Sequence, residues 1–107
     1  FARNERVAVF QRSPRHGEVA TLLVGAVGVG RISLSFDASV MTNVGRGPAT
    51  QRYEPARAPH LARGEELGVF HLGSTAIVLT SPEASVELAV EAGQDVRMGR
   101  ALAAGSR

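Results

Sequence analysis

Arg63-Gly64-Glu65-Glu66-Leu67-Gly68-Val69-Phe70-His71-Leu72-Gly73-Ser74-Thr75 runs directly into Ala76-Ile77-Val78-Leu79. Glycine-marked turns bracket a short apolar segment at 69–72, and a serine follows a glycine where that segment ends. Short apolar runs closed off by turn residues read as strands. The four consecutive aliphatic residues at 76–79 predict a second strand, buried, immediately downstream.

Working outward from this stretch yields more of the same element. Residues 31–36 alternate, with Ile32, Leu34 and Phe36 on one face and Arg31, Ser33 and Ser35 on the other, as in a half-buried strand. Residues 18–24 form a stronger apolar run entered through Gly17, and residues 6–10 a weaker one that stops at Ser13-Pro14. Gly25-Ala26-Val27-Gly28-Val29-Gly30 superficially resembles a phosphate-cradling loop. No helical period follows it, so it reads as a glycine-relaxed bend between strands. Residues 37–59 carry Gly45, Gly47, Pro48, Pro55 and Pro59 and read as one extended loop, broken by a short strand at 50–53. Downstream, Ser81-Pro82-Glu83 reads as a turn and residues 86–90 as a strand. Residues 93–99 read as a glycine-bounded turn and strand, and residues 101–107 as a small-residue tail. The predicted fold is mainly β, a sandwich or partly closed barrel of short strands, with any helix short and terminal.

Composition narrows the function. The 107 residues suit one small domain, and the start at Phe1 reads as a piece cut from a longer protein. There is no signal-peptide pattern and no apolar run long enough to span a bilayer. Cysteine is absent, which removes disulfides and thiolate chemistry from this chain. The net charge is +2, and all 12 basic residues are arginine. They are scattered rather than clustered, which argues against nucleic-acid binding and leaves anionic lipid headgroups as partners suited to guanidinium. The missing lysine is the sharpest constraint: pyridoxal phosphate enzymes and biotin or lipoyl carriers all need a lysine amine. Carbonyl chemistry on an amine substrate would need a carbonyl from elsewhere, the backbone included.

Gly73-Ser74-Thr75 alone is an ordinary turn whose hydroxyls satisfy nearby backbone groups. The longer pattern is more specific. Gly64-Glu65-Glu66-Leu67-Gly68, Phe70 and Leu72-Gly73-Ser74-Thr75 resemble the processing region of phosphatidylserine decarboxylase proenzymes, with Ala76 where a valine is common. Asn4-Glu5-Arg6-Val7, Val24-Gly25-Ala26 with Val29-Gly30, and the spaced Gly93, Val96 and Gly99 are similar to further elements of that family. The 37–60 segment is not recognisable in it.

The resemblance implies that residues 1–107 are the C-terminal β region of a larger α+β proenzyme. The chain would cleave itself between Gly73 and Ser74, leaving residues 1–73 as the end of a larger chain and residues 74–107 as a smaller one. Ser74 would become an N-terminal pyruvoyl group, the self-derived cofactor, which forms a Schiff base with phosphatidylserine and releases carbon dioxide and phosphatidylethanolamine. The family's histidine–aspartate base would lie upstream, so the fragment alone would be inactive and uncut. The implied partners are phosphatidylserine, the upstream part of the proenzyme, a second copy in a homodimer, and a membrane surface, peripherally at the cytoplasmic membrane of a bacterium.

His71 is the one weak candidate for the substrate site, since an extended strand does not settle its direction. His16 and His60 read as solvated turn residues, and Glu65 and Glu66 as turn carboxylates. Thr75 reads as a strand residue. No two histidines fall at ligand spacing, so no metal is expected. Two other readings stay open: a self-processing hydrolase with an N-terminal Ser74 nucleophile, and a non-enzymatic lipoyl-like β interaction module.

Overall fold

Strands, turns and irregular chain, without helix, account for the described residues of the computed structural model, which are 4–27, 31–42, 50–72, 75–83 and 86–105. The strands are β1 (Asn4–Ser13), β2 (Gly17–Val27), β3 (Arg31–Leu34), β4 (Asp37–Met41), β5 (Gly68–Leu72), β6 (Thr75–Thr80), β7 (Val86–Leu88) and β8 (Ala103–Gly105). They form three small sheets of order β1-β2-β6, β4-β3-β5 and β7-β8, not closed into a barrel. The mainly β expectation therefore holds. By contacts the chain divides into two compact units, Phe1–Val7 with Leu23–Ala76, and Ala8–Leu22 with Ile77–Arg107.

In the first unit, β3 is the central strand of its sheet. It pairs antiparallel with β4 on one side and β5 on the other. Its side chains alternate as the sequence predicts, Arg31 and Ser33 outward, Ile32 and Leu34 buried. The strand ends at Leu34 rather than Phe36, because Ser35 and Phe36 make the turn into β4. Asp37 opens β4, and its Oδ1 accepts from the Ser39 amide at 3.0 Å and the Ser39 hydroxyl at 2.6 Å. β4 corrects the reading of 37–59 as continuous loop. The strand predicted at 50–53 is irregular chain instead, tethered by a side chain: Tyr53 donates its hydroxyl to Asp37 Oδ2 and packs edge-on against Phe36, ring centroids 6.2 Å apart.

The bond to the Asp37 carboxylate pushes the Tyr53 phenol up to about 12, with burial and the Asp37 charge adding to it. The Asp37 carboxyl is lowered, first by the Ser39 hydroxyl and then by Tyr53. A raised phenol contributes stability that is intact below its unfolded value near 10 and is lost as pH climbs from there through about 12. The lowered carboxyl works the other way, its contribution lost as pH falls below its unfolded value of 3.8. Tyr53 is the only tyrosine and there is no tryptophan. Ultraviolet titration of this chain should show a single phenolate transition near 12, and Asp37→Asn should return it toward 10. A midpoint near 10 in both proteins would remove the tether.

In the second unit, the part of β1 that it holds alternates with Val9 buried and Phe10 80% exposed. The turn at 14–16 joins β1 to β2, and so short a link permits only an antiparallel pair. Ser13 Oγ organises it, accepting from the amides of Arg15 at 3.3 Å and His16 at 3.2 Å. β7 pairs antiparallel with β8, which corrects the reading of 101–107 as a mere tail. The strand expected within 93–99 is absent, those residues forming turns and irregular chain.

The largest correction concerns β6. It is a strand where predicted, and the turn at Pro82-Glu83 closes it, but all six of its residues are exposed. Ile77, Val78 and Leu79 retain 44%, 48% and 55% of their surface. Consecutive aliphatic residues on a strand normally mean cover on both faces. β6 lies at the edge of its sheet, and its aliphatic residues keep about half of their surface exposed.

Candidate functional site

β5 leads into the Gly73–Ser74 bond, and three local features set its path. Residues 63–64 form a turn in which Gly64 has a φ of +80°, a conformation glycine adopts without steric cost. Glu65 closes this turn: its amide donates to the Ala62 carbonyl at 3.0 Å and its carboxylate accepts from the Ala62 amide at 2.7 Å. Ser35 then fastens the following segment to the β3–β4 turn. Its amide donates to the Leu67 carbonyl at 2.9 Å, and its hydroxyl reaches the carbonyls of both Glu66 and Leu67.

The third feature is a close approach at Gly68. A Cβ there would lie 2.6 Å from the Ser33 carbonyl oxygen and 3.3 Å from Leu34 Cδ2. The backbone oxygen cannot swing aside as a side chain could, so the strands would have to separate. Gly68→Ala should cost about 1–3 kcal/mol of stability in a denaturant titration. An unchanged midpoint would mean that β5 does not pack this closely on β3.

A bulge follows. Along β3, Ile32 pairs with Phe70 and Arg31 with Leu72, so one step on β3 spans two on β5 and His71 is the extra residue. The imidazole is exposed and joined to Ser33: Ser33 Oγ and His71 Nε2 are 3.0 Å apart. Nε2 accepts the serine proton when Nδ1 carries the ring hydrogen, and donates in the other tautomer. Arg31, on the same outward face of β3 as Ser33, is exposed and stands opposite Leu72.

Gly73 and Ser74 themselves lie outside the described residues. Connectivity still bounds their distance: two residues span at most about 7 Å, so His71 and Gly73 are near neighbours in any conformation. Thr75 opens β6 and is exposed. A sequence profile described as phosphatidylserine decarboxylase matches residues 1–104, a span that contains the whole of this arrangement. The chain belongs to the phosphatidylserine decarboxylase family.

Individual relatives agree. The chain is 50% identical over 108 residues to a phosphatidylserine decarboxylase proenzyme of Pseudomonas fluorescens, covering 97% of this chain and 37% of that protein. It is 49% identical over 108 residues to the proenzyme of Pseudomonas putida, with the same coverage. To that of Pseudomonas paraeruginosa it is 47% identical over 106 residues, 96% of this chain and 36% of the relative. The chain thus spans little more than a third of the length of the relatives it matches. No solved structure matches it.

Within this decarboxylase-family chain, the described residues gather no group of three His, Cys, Asp or Glu side chains able to hold a metal. They also contain no helix long and apolar enough to cross a membrane. His60 is exposed as predicted, whereas His16 is half-buried and its Nδ1 is shut off from solvent with no hydrogen-bond partner among the described residues. The sequence reading placed Arg31 and Ser33 on the polar face of β3 but attached no role to them. Ser33 lies 38 residues from His71, and nothing local in the chain signals their pairing.

Proposed function

We propose that this chain is the self-cleaving portion of a phosphatidylserine decarboxylase proenzyme, cut between Gly73 and Ser74. The observation that carries the reading is the family match running unbroken across that bond, from residue 1 to residue 104. In the proposed maturation, the Ser74 hydroxyl attacks the Gly73 carbonyl and the amide becomes an ester. Elimination then releases the Gly73 carboxylate as the end of residues 1–73. The dehydroalanine left on residues 74–107 takes up water and loses ammonia, giving a pyruvoyl terminus.

Several features of the chain fit such a group. Gly73 offers attack no side-chain obstruction. Ser74 needs a base, since a serine hydroxyl is a weak nucleophile alone, and in this reading a histidine–aspartate pair in the upstream part of the proenzyme supplies it. Donors to the Gly73 oxygen would each accelerate attack about 10²–10³-fold. The chain has no lysine whose amine could compete for a pyruvoyl carbonyl. That carbonyl supplies an electron sink for an amine-bearing substrate, letting a carboxylate depart as carbon dioxide.

The relatives are named for phosphatidylserine, and we take that lipid as substrate, phosphatidylethanolamine as product, and the periphery of a bacterial cytoplasmic membrane as the place of action. The rest of the proenzyme is a partner in this reading, supported by three consecutive aliphatic residues of β6 that stay about half exposed while the relatives are well over twice as long as this chain. A homodimer is a further expected state. The test is intact mass spectrometry of the full-length protein incubated with phosphatidylserine vesicles. Two chains, the smaller one carrying a pyruvoyl terminus, together with phosphatidylethanolamine, support the reading. A smaller chain with a free serine amine would indicate the N-terminal hydrolase instead, and an intact chain without decarboxylation a plain interaction module.

A further inference from the structure

The polar face of β3 continues onto the bulge of β5, and this brings together three side chains the maturation chemistry does not use. Arg31 is exposed and is the register partner of Leu72, the residue preceding Gly73. Paired strand residues lie about 4.5–5.5 Å apart at Cα, and one more residue adds about 3.8 Å. Arg31 therefore stands beside the last described residue before the bond. Ser33 lies two residues along the same face, and its hydroxyl holds His71 Nε2 at 3.0 Å. A cation and two hydrogen-bonding groups thus share one accessible surface beside the bond that is to be cut. The bulge sets Leu72, rather than His71, opposite Arg31.

We propose that Arg31, with the Ser33–His71 pair beside it, is the recognition patch for the phosphodiester of the substrate headgroup. The assignment rests on the decarboxylase reading given above. Guanidinium binds phosphate oxygens in a bidentate fork, an arrangement an ammonium cannot reproduce. The other anion of a phosphoserine headgroup, its carboxylate, is a poor target for this arginine. Decarboxylation moves charge off that carboxylate, so a cation fixed there would favour the ground state over the transition state and slow the reaction. A cation on the phosphodiester contacts a charge that stays constant throughout, and so tightens binding without opposing the chemistry. Ser33 and His71 are positioning residues: their bond holds the bulge, and the bulge sets where the headgroup lies relative to residue 74.

The test uses the full-length protein and its Arg31→Gln, Arg31→Lys and Ser33→Ala variants. Self-cleavage is scored by intact mass, and KM and kcat are measured on short-chain phosphatidylserine in neutral detergent micelles. Inhibition by soluble glycerophosphoserine and by inorganic phosphate is measured alongside. Arg31→Gln should still cleave itself, raise KM about tenfold or more with little change in kcat, and weaken glycerophosphoserine inhibition by a similar factor. Arg31→Lys should recover only part of the loss, and Ser33→Ala should raise KM by a smaller factor. Inorganic phosphate inhibiting the wild type as well as glycerophosphoserine does would mean a bare phosphate site rather than a headgroup site, and would overturn the proposal. So would a self-cleaved Arg31→Gln enzyme with unchanged KM and inhibition. A wild-type protein that neither cleaves nor decarboxylates overturns the underlying reading and this assignment with it.

Discussion

Ser74→Ala in the full-length protein should leave one undivided chain and no detectable phosphatidylethanolamine. The effect is all-or-none because the substitution removes the attacking oxygen, not a group that assists it. Deleting a base or an oxyanion donor leaves a slower reaction, whereas deleting the nucleophile leaves no ester to eliminate and no carbonyl at the new terminus. Thr75 is the obvious candidate to rescue the variant, since it is the next hydroxyl and is exposed at the start of β6. A Thr75 rescue would move the cut one bond downstream, adding one alanine to the larger product and leaving the smaller one without residue 74 and with a 2-oxobutanoyl terminus, so mass spectrometry distinguishes it from cleavage at the original bond. Cutting of the alanine variant between residues 73 and 74 would falsify the role given to Ser74. An uncut wild-type protein with full activity would be equally damaging.

Ile32→Ala should be the most destabilising single truncation in this region, by about 2–5 kcal/mol. Ile32 has no accessible surface, while Val9, Leu23 and Leu34 each retain a few per cent. It is also held through its backbone, the amide donating to Thr42 Oγ1 at 2.9 Å and the carbonyl accepting from the Thr42 amide at 3.0 Å. Those bonds keep β3 in place, so little collapse into the cavity is possible and most of the packing loss is felt. Against a total of about 5–15 kcal/mol for a typical protein, the loss is large. Urea titration in the Ser74→Ala background measures it without interference from cleavage. Phe10→Ala is the matched control: although larger, Phe10 is 80% exposed, and its removal should shift stability by about 0.5 kcal/mol or less. A loss below about 1 kcal/mol for Ile32→Ala would remove β3 from the core.

The two outcomes are linked through β5. Ile32 pairs with Phe70, and Arg31 with Leu72, so loosening β3 also loosens the strand that enters the cleavage site. The Ile32→Ala protein with Ser74 intact should therefore mature more slowly as well as unfold more easily. A surface truncation of equal size should not couple the two.

The chain's own residues determined the strand character of β1, β2, β3, β5, β6 and β7, because alternation and aliphatic runs are local properties of a pleated backbone. They also determined the family, since Leu72-Gly73-Ser74-Thr75 and its glycine-rich approach are read without any partner. What the sequence could not supply was long-range. β4 was missed because Asp37 and Ser39 look like loop residues, and only pairing with β3 makes 37–41 a strand. The strand expected at 50–53 gave way to a tether made by Tyr53 to Asp37, sixteen residues away. The contact of His71 with Ser33 depended on two strands, 38 residues apart in the chain at these positions, pairing in one sheet. Burial of 76–79 failed for a related reason: an apolar run states that cover is needed, and only the packing of other elements decides whether it is there.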